Sequence, residues 1–229
     1  MKGTKNPINY FKALKFQKDQ REDRFPYYGL WAYMGEFGSG KTLTSVKQTI
    51  DICNEYPDCV LITNTKIKGI SNKTYFFIGA EELCKLLCEV VDEGSTCGYL
   101  IFIDELHVVL SDIFKRADDG IFLTYLSQLR KIGIMIIGTC QLYNKCPKTV
   151  RDYLKLSGNI VFCKKILKAI TINQFVNMET CEELSNLKLK YEISYWTWYF
   201  HTVELYQSYE TFALVGQIKS LINVKGSDK

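Results

Sequence analysis

Five apolar runs recur along residues 25–165, and longer stretches with helical spacing separate them. The runs are rich in aliphatic and aromatic residues, which is typical of parallel strands buried on both faces. Between the first two runs, apolar residues return at Leu43, Val46, Ile50 and Cys53, along one face of a helix. This alternation predicts an α/β fold, a central and mainly parallel sheet flanked by helices. The predicted strands are residues 29–34, 59–63, 99–104, 133–139 and 159–163.

The period changes after residue 165, because residues 169–175 and 188–193 alternate between polar and apolar side chains as strands do. The run at 195–200 consists largely of aromatic residues that favour strands. We expect its aromatic side chains to pack against the core. A subunit interface and a stacking surface for single-stranded nucleic acid are the alternatives. The predicted regions are a basic N-terminal arm (1–24), an α/β core (25–165) and a β-rich C-terminal extension at the sheet edge (166–229).

A glycine-rich loop follows the first predicted strand, and residues 35–42 fit the complete pattern G-x-x-x-x-G-K-[ST], a Walker A motif. Between a strand and a helix, the backbone N–H groups of such a loop surround nucleotide phosphates at the helix N-terminus. Lys41 is expected to reach the β- and γ-phosphates, and the Thr42 hydroxyl to bind Mg²⁺. The predicted cofactors are therefore ATP and Mg²⁺. The predicted nucleotide contacts are Gly35, Glu36, Phe37, Gly38, Ser39, Gly40, Lys41, Thr42 and Leu43.

A pair of carboxylates ends the third predicted strand, where Asp104 and Glu105 follow the run from Tyr99 to Ile103. A carboxylate at the tip of a strand near the phosphate loop can hold Mg²⁺, so Asp104 is the predicted metal ligand of a Walker B motif. Glu105, one residue further on, is the predicted catalytic residue that polarises the attacking water. The alternative is that both acids only favour the start of the next helix.

A polar residue also ends the fourth predicted strand, where Gln141 follows the run from Ile132 to Cys140. Ligands of open α/β sheets bind at the carboxyl ends of the strands. We therefore expect Gln141 to contact the γ-phosphate or the attacking water and to report hydrolysis to the rest of the molecule. A turn-forming glutamine without a catalytic part is the alternative.

Asn64 follows the second predicted strand, on the same side of the sheet as Asp104 and Gln141. A contact with nucleotide or substrate is one interpretation, and a plain turn is the favoured one.

Arg130 lies near the end of a predicted helix that begins near Asp119. It is a candidate arginine finger for the nucleotide site of a neighbouring subunit. It is equally a favourable cation at a helix C-terminus, and Arg151 competes for the same catalytic part.

Composition fits one compact enzyme, since 229 residues with 47% hydrophobic content can bury a substantial core. The nine cysteines include no C-x-x-C pair, which disfavours a zinc site and suits a reducing cytosol. No apolar N-terminal segment resembles a signal peptide, and the longest uncharged stretches are too short to span a bilayer. We therefore expect a cytoplasmic protein without a membrane span of its own.

Two segments carry most of the positive charge. Residues 1–24 hold seven Lys or Arg against three acids, so this segment alone accounts for the formal net charge of +4 of the chain. Residues 145–168 contain several basic residues against Asp152 alone, a distribution that would suit a phosphate backbone tracked without sequence reading. A solvated helix face is the alternative for any single lysine. The basic residues of the second segment are Lys145, Lys148, Arg151, Lys155, Lys164, Lys165 and Lys168.

Together, the loop at 35–42, the acids Asp104 and Glu105, and the segment 129–141 resemble the additional-strand P-loop ATPases of the FtsK/HerA type. Within that group, the chain is similar to small genome-packaging ATPases of viruses and phages and to the assembly ATPase of filamentous phages. The resemblance covers about residues 25–165, and the chain differs by Cys140 before the glutamine and by lacking a large accessory domain.

The resemblance implies a Mg²⁺-dependent ATPase that assembles as a ring, a hexamer by expectation, and moves DNA without reading its sequence. Packaging of a viral or phage genome into a preformed capsid is the expected task, with a capsid or membrane-vertex protein as a partner. The resemblance also implies a location in the host cytoplasm, with the virion as a second location. Two alternatives stay open: an ATPase of filamentous-phage assembly and extrusion, and a nucleotide-gated loader or switch. The apparent lack of a membrane segment counts against the extrusion ATPase, and Glu105 counts against a pure switch.

Overall fold

The computed structural model describes residues 25–92, 97–114, 119–186 and 188–210, and it confirms the α/β fold. Eight strands within these residues form one sheet, and two short ones form a second sheet. The strands are β1 (Gly29–Met34), β2 (Val60–Thr63), β3 (Thr74–Phe76), β4 (Tyr99–Ile103), β5 (Ile134–Cys140), β6 (Asn159–Ile166), β7 (Ile170–Val176), β8 (Glu182–Glu183), β9 (Leu189–Lys190) and β10 (Ile193–Phe200).

The large sheet has the strand order β10-β7-β6-β1-β5-β4-β2-β3. The six strands from β6 to β3 pair in parallel. β7 then runs antiparallel to both β6 and β10. β5 lies between β1 and β4, and it is the additional strand of the predicted fold. The carboxyl ends of β1, β4 and β5 therefore meet at one edge of the sheet, which is where such sheets bind ligands.

Helices cover the central strands on both faces. They are α1 (Lys41–Glu55), α2 (Ala80–Val90), α3 (Leu106–Ile113), α4 (Asp119–Ile132), α5 (Lys148–Ser157) and α6 (Val203–Gln207). On one face, Val46 and Ile52 of α1 pack with Leu61 and Leu100 of the sheet. The other face carries a larger core, to which α2, α3, α4 and α5 contribute. Every residue of β4 and β5 is buried, as the uninterrupted apolar runs predict.

The predicted strands of the core all form, with ends within a few residues of those expected. β3 was not predicted, because three residues at the edge of a sheet leave too short a pattern. The strand expected at 188–193 is wrong in extent, since Leu189–Lys190 pairs with β8 in the small sheet and Ile193 already belongs to β10. The predicted boundary at residue 165 falls within β6, so the division into core and extension stays a prediction.

The aromatic run differs from expectation in its packing. β10 is an edge strand of the large sheet, and Trp196, Trp198 and Phe200 are 62%, 54% and 60% exposed. They do not pack into the core, because no helix of the described residues covers this part of the sheet. The predicted arm at 1–24 and the end of the extension, 211–229, lie outside the described residues. Within the described part of the chain, none of the helices has the length and apolar character required to cross a membrane.

Candidate functional site

The glycine-rich loop connects β1 to α1 and takes a backbone path that side chains would obstruct. Gly40 immediately precedes α1 with φ 94°, in the left-handed region that favours glycine. A Cβ atom at Gly40 would lie 2.4 Å from the Thr171 hydroxyl oxygen, and one at Gly35 would lie 2.7 Å from the Cys163 carbonyl oxygen. The loop is therefore fitted closely against β6 and β7, and the N-terminus of a 15-residue helix stands behind it.

Two polar groups of this loop suit a phosphate. The Lys41 ammonium donates a hydrogen bond to the Glu36 carbonyl oxygen at 2.9 Å, which holds the side chain folded across the loop. The Ser39 hydroxyl is buried, and it has no hydrogen-bond partner among the described residues. A buried hydroxyl without a partner costs free energy, and a phosphate oxygen would supply the partner. Phe37 is 84% exposed at the tip of the loop, while Leu43 packs inward and is buried.

The predicted metal ligands lie side by side. The Thr42 hydroxyl donates to the Asp104 carboxylate at 3.2 Å between Oγ1 and Oδ1. Adjacent ligands of an octahedral Mg²⁺ with bonds of 2.0–2.1 Å are about 2.9 Å apart, so this pair of oxygens fits the ion. The described residues contain no cluster of three or more acidic, histidine or cysteine side chains suited to a metal. A site of one hydroxyl and one carboxylate agrees with Mg²⁺, which usually keeps waters and substrate phosphates as its other ligands.

Asn64 fixes the backbone of Asp104, a part that the sequence did not reveal. The Asp104 N–H donates to Asn64 Oδ1 at 2.8 Å, and Asn64 Nδ2 donates to the Asp104 carbonyl oxygen at 2.9 Å. The side chain of Asn64 is buried at the end of β2. Its position after an apolar strand was the available signal. The pattern left a simple turn as the favoured interpretation.

Glu105 and Gln141 are brought together by the neighbouring strands β4 and β5. Gln141 Nε2 donates to Glu105 Oε1 at 3.3 Å, and Lys145 Nζ donates to Gln141 Oε1 at 3.4 Å. Glu105 has φ 55° and ψ 52°, a left-handed conformation that is uncommon for a side-chain-bearing residue. Its other oxygen, Oε2, has no hydrogen-bond partner among the described residues. This oxygen is itself buried, so it faces the interior of the site and not bulk solvent.

His107 stands beside that carboxylate, with Nδ1 3.3 Å from Glu105 Oε2. The pKa of His107 is lowered from its ordinary value, chiefly by burial and further by the positive charges of Lys145 and Lys41, against an opposing effect of Glu105. The imidazole is therefore mainly neutral at neutral pH. A single histidine two residues beyond Glu105 carried no recognisable motif, so sequence reasoning missed it.

Thr139, at the penultimate position of β5, connects the side chain of Asp104 to the backbone of Glu105. Its hydroxyl donates to Asp104 Oδ1 at 2.6 Å and accepts the Glu105 N–H at 2.9 Å. The side chain is buried, so neither bond competes with bulk water. The only sequence signal was a hydroxyl residue within an apolar strand.

Replacement of Thr139 by valine is expected to slow ATP hydrolysis and to lower the free energy of unfolding. The valine preserves the shape but leaves the Asp104 carboxylate and the Glu105 N–H each short of a buried partner, at roughly 1–3 kcal/mol. Steady-state hydrolysis and urea unfolding measure the two effects, and Thr139→Ser, which keeps the hydroxyl, is the matched control. Equal hydrolysis by the valine and serine variants would contradict the assigned contact.

The two candidate arginines lie elsewhere. Arg130 ends α4 at the amino-terminal edge of β5, opposite the phosphate loop, where its guanidinium lies 5.6 Å from the centre of the Tyr28 ring. Arg151 is largely buried, and its Nη1 donates to the Cys146 carbonyl oxygen at 2.8 Å. The structure thus brings neither arginine to its own nucleotide loop. The role of Arg130 as an arginine finger for a neighbouring subunit stays a prediction.

Comparison with protein-family models matches residues 30–213 to a family described as zonular occludens toxin (Zot). The matched range includes the phosphate loop and every candidate catalytic or metal-binding residue. No sequence among curated proteins matches the chain.

Solved structures give the same picture of the fold. The chain is similar to the N-terminal domain of zonular occludens toxin from Neisseria meningitidis, with 17% identity and a TM-score of 0.51 over 80% of this chain and 99% of that one. The genome packaging NTPase B204 from Sulfolobus turreted icosahedral virus 2, solved with AMPPCP, has 10% identity and a TM-score of 0.49 over 72% and 96% of the two chains. The first likeness concerns the fold alone, and the second is too weak to bear on function.

Proposed function

The chain belongs to the Zot family, and we propose that it is a Mg²⁺-dependent ATPase that uses hydrolysis to move nucleic acid. The observation that carries the proposal is the position of Glu105. Its carboxylate directly follows Asp104, which accepts a hydrogen bond from Thr42, and it accepts one from Gln141 at the end of the neighbouring strand β5. A nucleotide-binding protein without hydrolysis would not need a second carboxylate there.

The chain's own residues divide the reaction between them. Lys41 and the loop N–H groups bind the β- and γ-phosphates, with Ser39 as a further donor. Thr42 and Asp104 would hold Mg²⁺, which neutralises charge on the phosphate oxygens when bound. The Glu105 carboxylate accepts a proton from the attacking water, and Gln141 holds its Oε1. The orientation of the attacking water thus depends on the contact between Glu105 after β4 and Gln141 after β5.

Gln141 also offers a route from hydrolysis to movement. Its amide bonds to Glu105 and its carbonyl oxygen to Lys145, so a change at the γ-phosphate alters a contact that continues beyond β5. Lys145 begins the basic segment 145–168. Within that segment, Arg151 and Lys155 form ion pairs with Glu183 at 3.5 Å and 2.7 Å, which reduces the charge left for an external partner. The exposed members include Lys164 and Lys168.

The proposed substrate is DNA, bound without sequence preference and moved by a ring of copies, with six as the expected number. Packaging of a viral or phage genome into a capsid is the specific task that we propose, with a capsid or membrane-vertex protein as partner. Arg130 of a neighbouring copy would then complete each site. An assembly ATPase that extrudes a phage at a membrane remains the second candidate, which the Zot family membership does not separate from packaging. Recovery of activity with host membranes would distinguish it.

Steady-state ATP hydrolysis with and without single- and double-stranded DNA tests the proposed function. We expect DNA to accelerate hydrolysis severalfold, because a motor couples turnover to its substrate. Hydrolysis that ignores both forms of DNA would favour a partner-activated assembly ATPase, and absence of turnover would favour a nucleotide-gated loader. Glu105→Gln serves as the negative control in each condition.

A further inference from the structure

Three aromatic side chains of β10 form an exposed row, which we call the aromatic face. Trp196, Trp198 and Phe200 alternate along the strand and therefore project from the same side of the sheet. All three are more than half exposed. Alternate residues of a strand are about 6.8 Å apart. The rings of Trp198 and Phe200 meet edge to face, with centroids 5.3 Å apart and planes at 90°. Exposed apolar rows of this kind on a folded protein mark interaction sites.

The charge around this row is positive. Trp198 is in register with Ile172 of β7, which is in register with Lys164 of β6, so the exposed lysine lies on the same side of the sheet as the row. The turn between β6 and β7 adds the exposed Lys168. None of the three strands β6, β7 and β10 contains an aspartate or glutamate. Anionic ligands are therefore favoured over cationic ones.

Flat rings with a neighbouring lysine suit unpaired bases joined by phosphates. Every base has a π-face that can stack on tryptophan or phenylalanine, and this stacking is tolerant of sequence. In a duplex those faces are already stacked on neighbouring base pairs. A ligand that uses this row through its bases must therefore be single-stranded, and Lys164 and Lys168 would contact its backbone.

The opposite side of β10 reaches the helix of the phosphate loop. The Tyr199 hydroxyl lies 2.9 Å from Thr44 Oγ1 in α1, and the same Thr44 hydroxyl donates to Asn173 of β7 at 3.1 Å. Thr44 is three residues beyond Lys41. One strand thus carries the aromatic face on one side and a buried contact to the nucleotide-binding helix on the other.

We propose that the aromatic face of β10 binds single-stranded nucleic acid by base stacking, and that Tyr199 transmits this binding to α1. The transmission rests on the proposed ATPase function, whereas the binding itself does not. Nucleic acid at the row would shift or stiffen β10, and the hydroxyl contact would pass the change to Thr44. The surface is distinct from the nucleotide site, which lies at the carboxyl edge of β1, β4 and β5.

Titration with a 30-nucleotide oligothymidine tests the surface through tryptophan fluorescence, because two of the chain's three tryptophans lie in the row. We expect quenching on binding and a loss of affinity of about tenfold in Trp198→Ala, as removal of one stacking ring predicts. Phe76→Ala removes an aromatic side chain of similar exposure, 51%, from β3 at the far edge of the sheet. That control variant is expected to bind as the unmodified protein does.

A duplex of the same length should neither quench the fluorescence nor distinguish the variants. Equal oligothymidine affinities of Trp198→Ala and Phe76→Ala would overturn the proposal, and so would a change in oligomeric state confined to Trp198→Ala, which would assign the row to contact between copies. Tyr199→Phe should bind oligothymidine normally but show weaker stimulation of hydrolysis by it. Binding of ATP is measured in parallel. If the protein binds and hydrolyses ATP but does not bind oligothymidine, the proposed nucleic-acid surface is wrong and the proposed ATPase function stands.

Discussion

Replacement of Lys41 by alanine is expected to abolish ATP hydrolysis and to weaken ATP binding by about 10- to 150-fold, since a hydrogen bond to a charged group is worth roughly 1.5–3 kcal/mol. The lysine is 8% exposed and lies folded across the phosphate loop. Residues 35–42 contain no other cationic side chain, so none of them can replace its charge. Equilibrium titration with a fluorescent ATP analogue measures the loss.

Lys47→Ala is the matched control, because Lys47 lies on the same helix and pairs at the surface with Asp51. Its removal takes away an equal charge without touching the loop, and surface pairs of this kind contribute little. ATP binding should therefore remain close to that of the unmodified protein. If the two alanine variants bound ATP equally well, the assigned phosphate contact of Lys41 would be wrong.

Replacement of Glu105 by glutamine should separate binding from chemistry. The variant is expected to bind ATP normally and to lose hydrolysis by about 10²- to 10⁴-fold, the usual contribution of a general base. Glutamine keeps the size of the side chain and can still contact Gln141, but it cannot accept the proton of the attacking water. Rapid-quench measurement of a single turnover isolates the chemical step from product release.

Glu89→Gln provides the comparison for that experiment, since Glu89 is an exposed acid of α2 that pairs with Lys85. It carries the same chemical change far from the carboxyl ends of β4 and β5. A single-turnover rate in Glu105→Gln that matches the rate in Glu89→Gln would assign proton acceptance to another group. His107, whose Nδ1 is 3.3 Å from Glu105, would be the first group to examine.

Much of the fold and of the site's framework was predictable from the sequence for a definite physical reason. The strands β1, β4 and β5 are buried on both faces, so their sequences are largely apolar. The residues that follow them are therefore conspicuous: the glycine-rich loop after β1, Asp104 after β4 and Gln141 after β5. Parallel strands then place those polar residues at one edge. The contacts Thr42–Asp104 and Glu105–Gln141 agree with that expectation.

The residues that sequence reasoning missed act through contacts that have no pattern along the chain. Thr139 looked like part of an apolar strand, although its hydroxyl joins Asp104 to the Glu105 N–H. Asn64 looked like a turn, although it bonds both backbone groups of Asp104. Such partners depend on which strands become neighbours. The strand order β1-β5-β4-β2 cannot be deduced from the apolar runs themselves.

The prediction that the aromatic run at 195–200 packs against the core was wrong for a different reason. The composition of the run predicted a strand correctly, but burial depends on what covers a strand. β10 lies at the edge of the sheet, and no helix of the described residues covers Trp196 and Trp198. Local propensity carries no information about that cover. The predicted role of Arg130 depends in the same way on its surroundings, because an arginine finger acts only in the nucleotide site of a neighbouring copy.

Movement of nucleic acid is the central claim, and displacement of streptavidin from a biotinylated DNA end tests it most directly. We predict that the unmodified protein displaces streptavidin with ATP and Mg²⁺, that the non-hydrolysable analogue AMPPCP does not support displacement, and that Glu105→Gln is inactive with ATP. Rapid ATP hydrolysis on the same DNA without any displacement would contradict the claim and leave an ATPase that does not translocate.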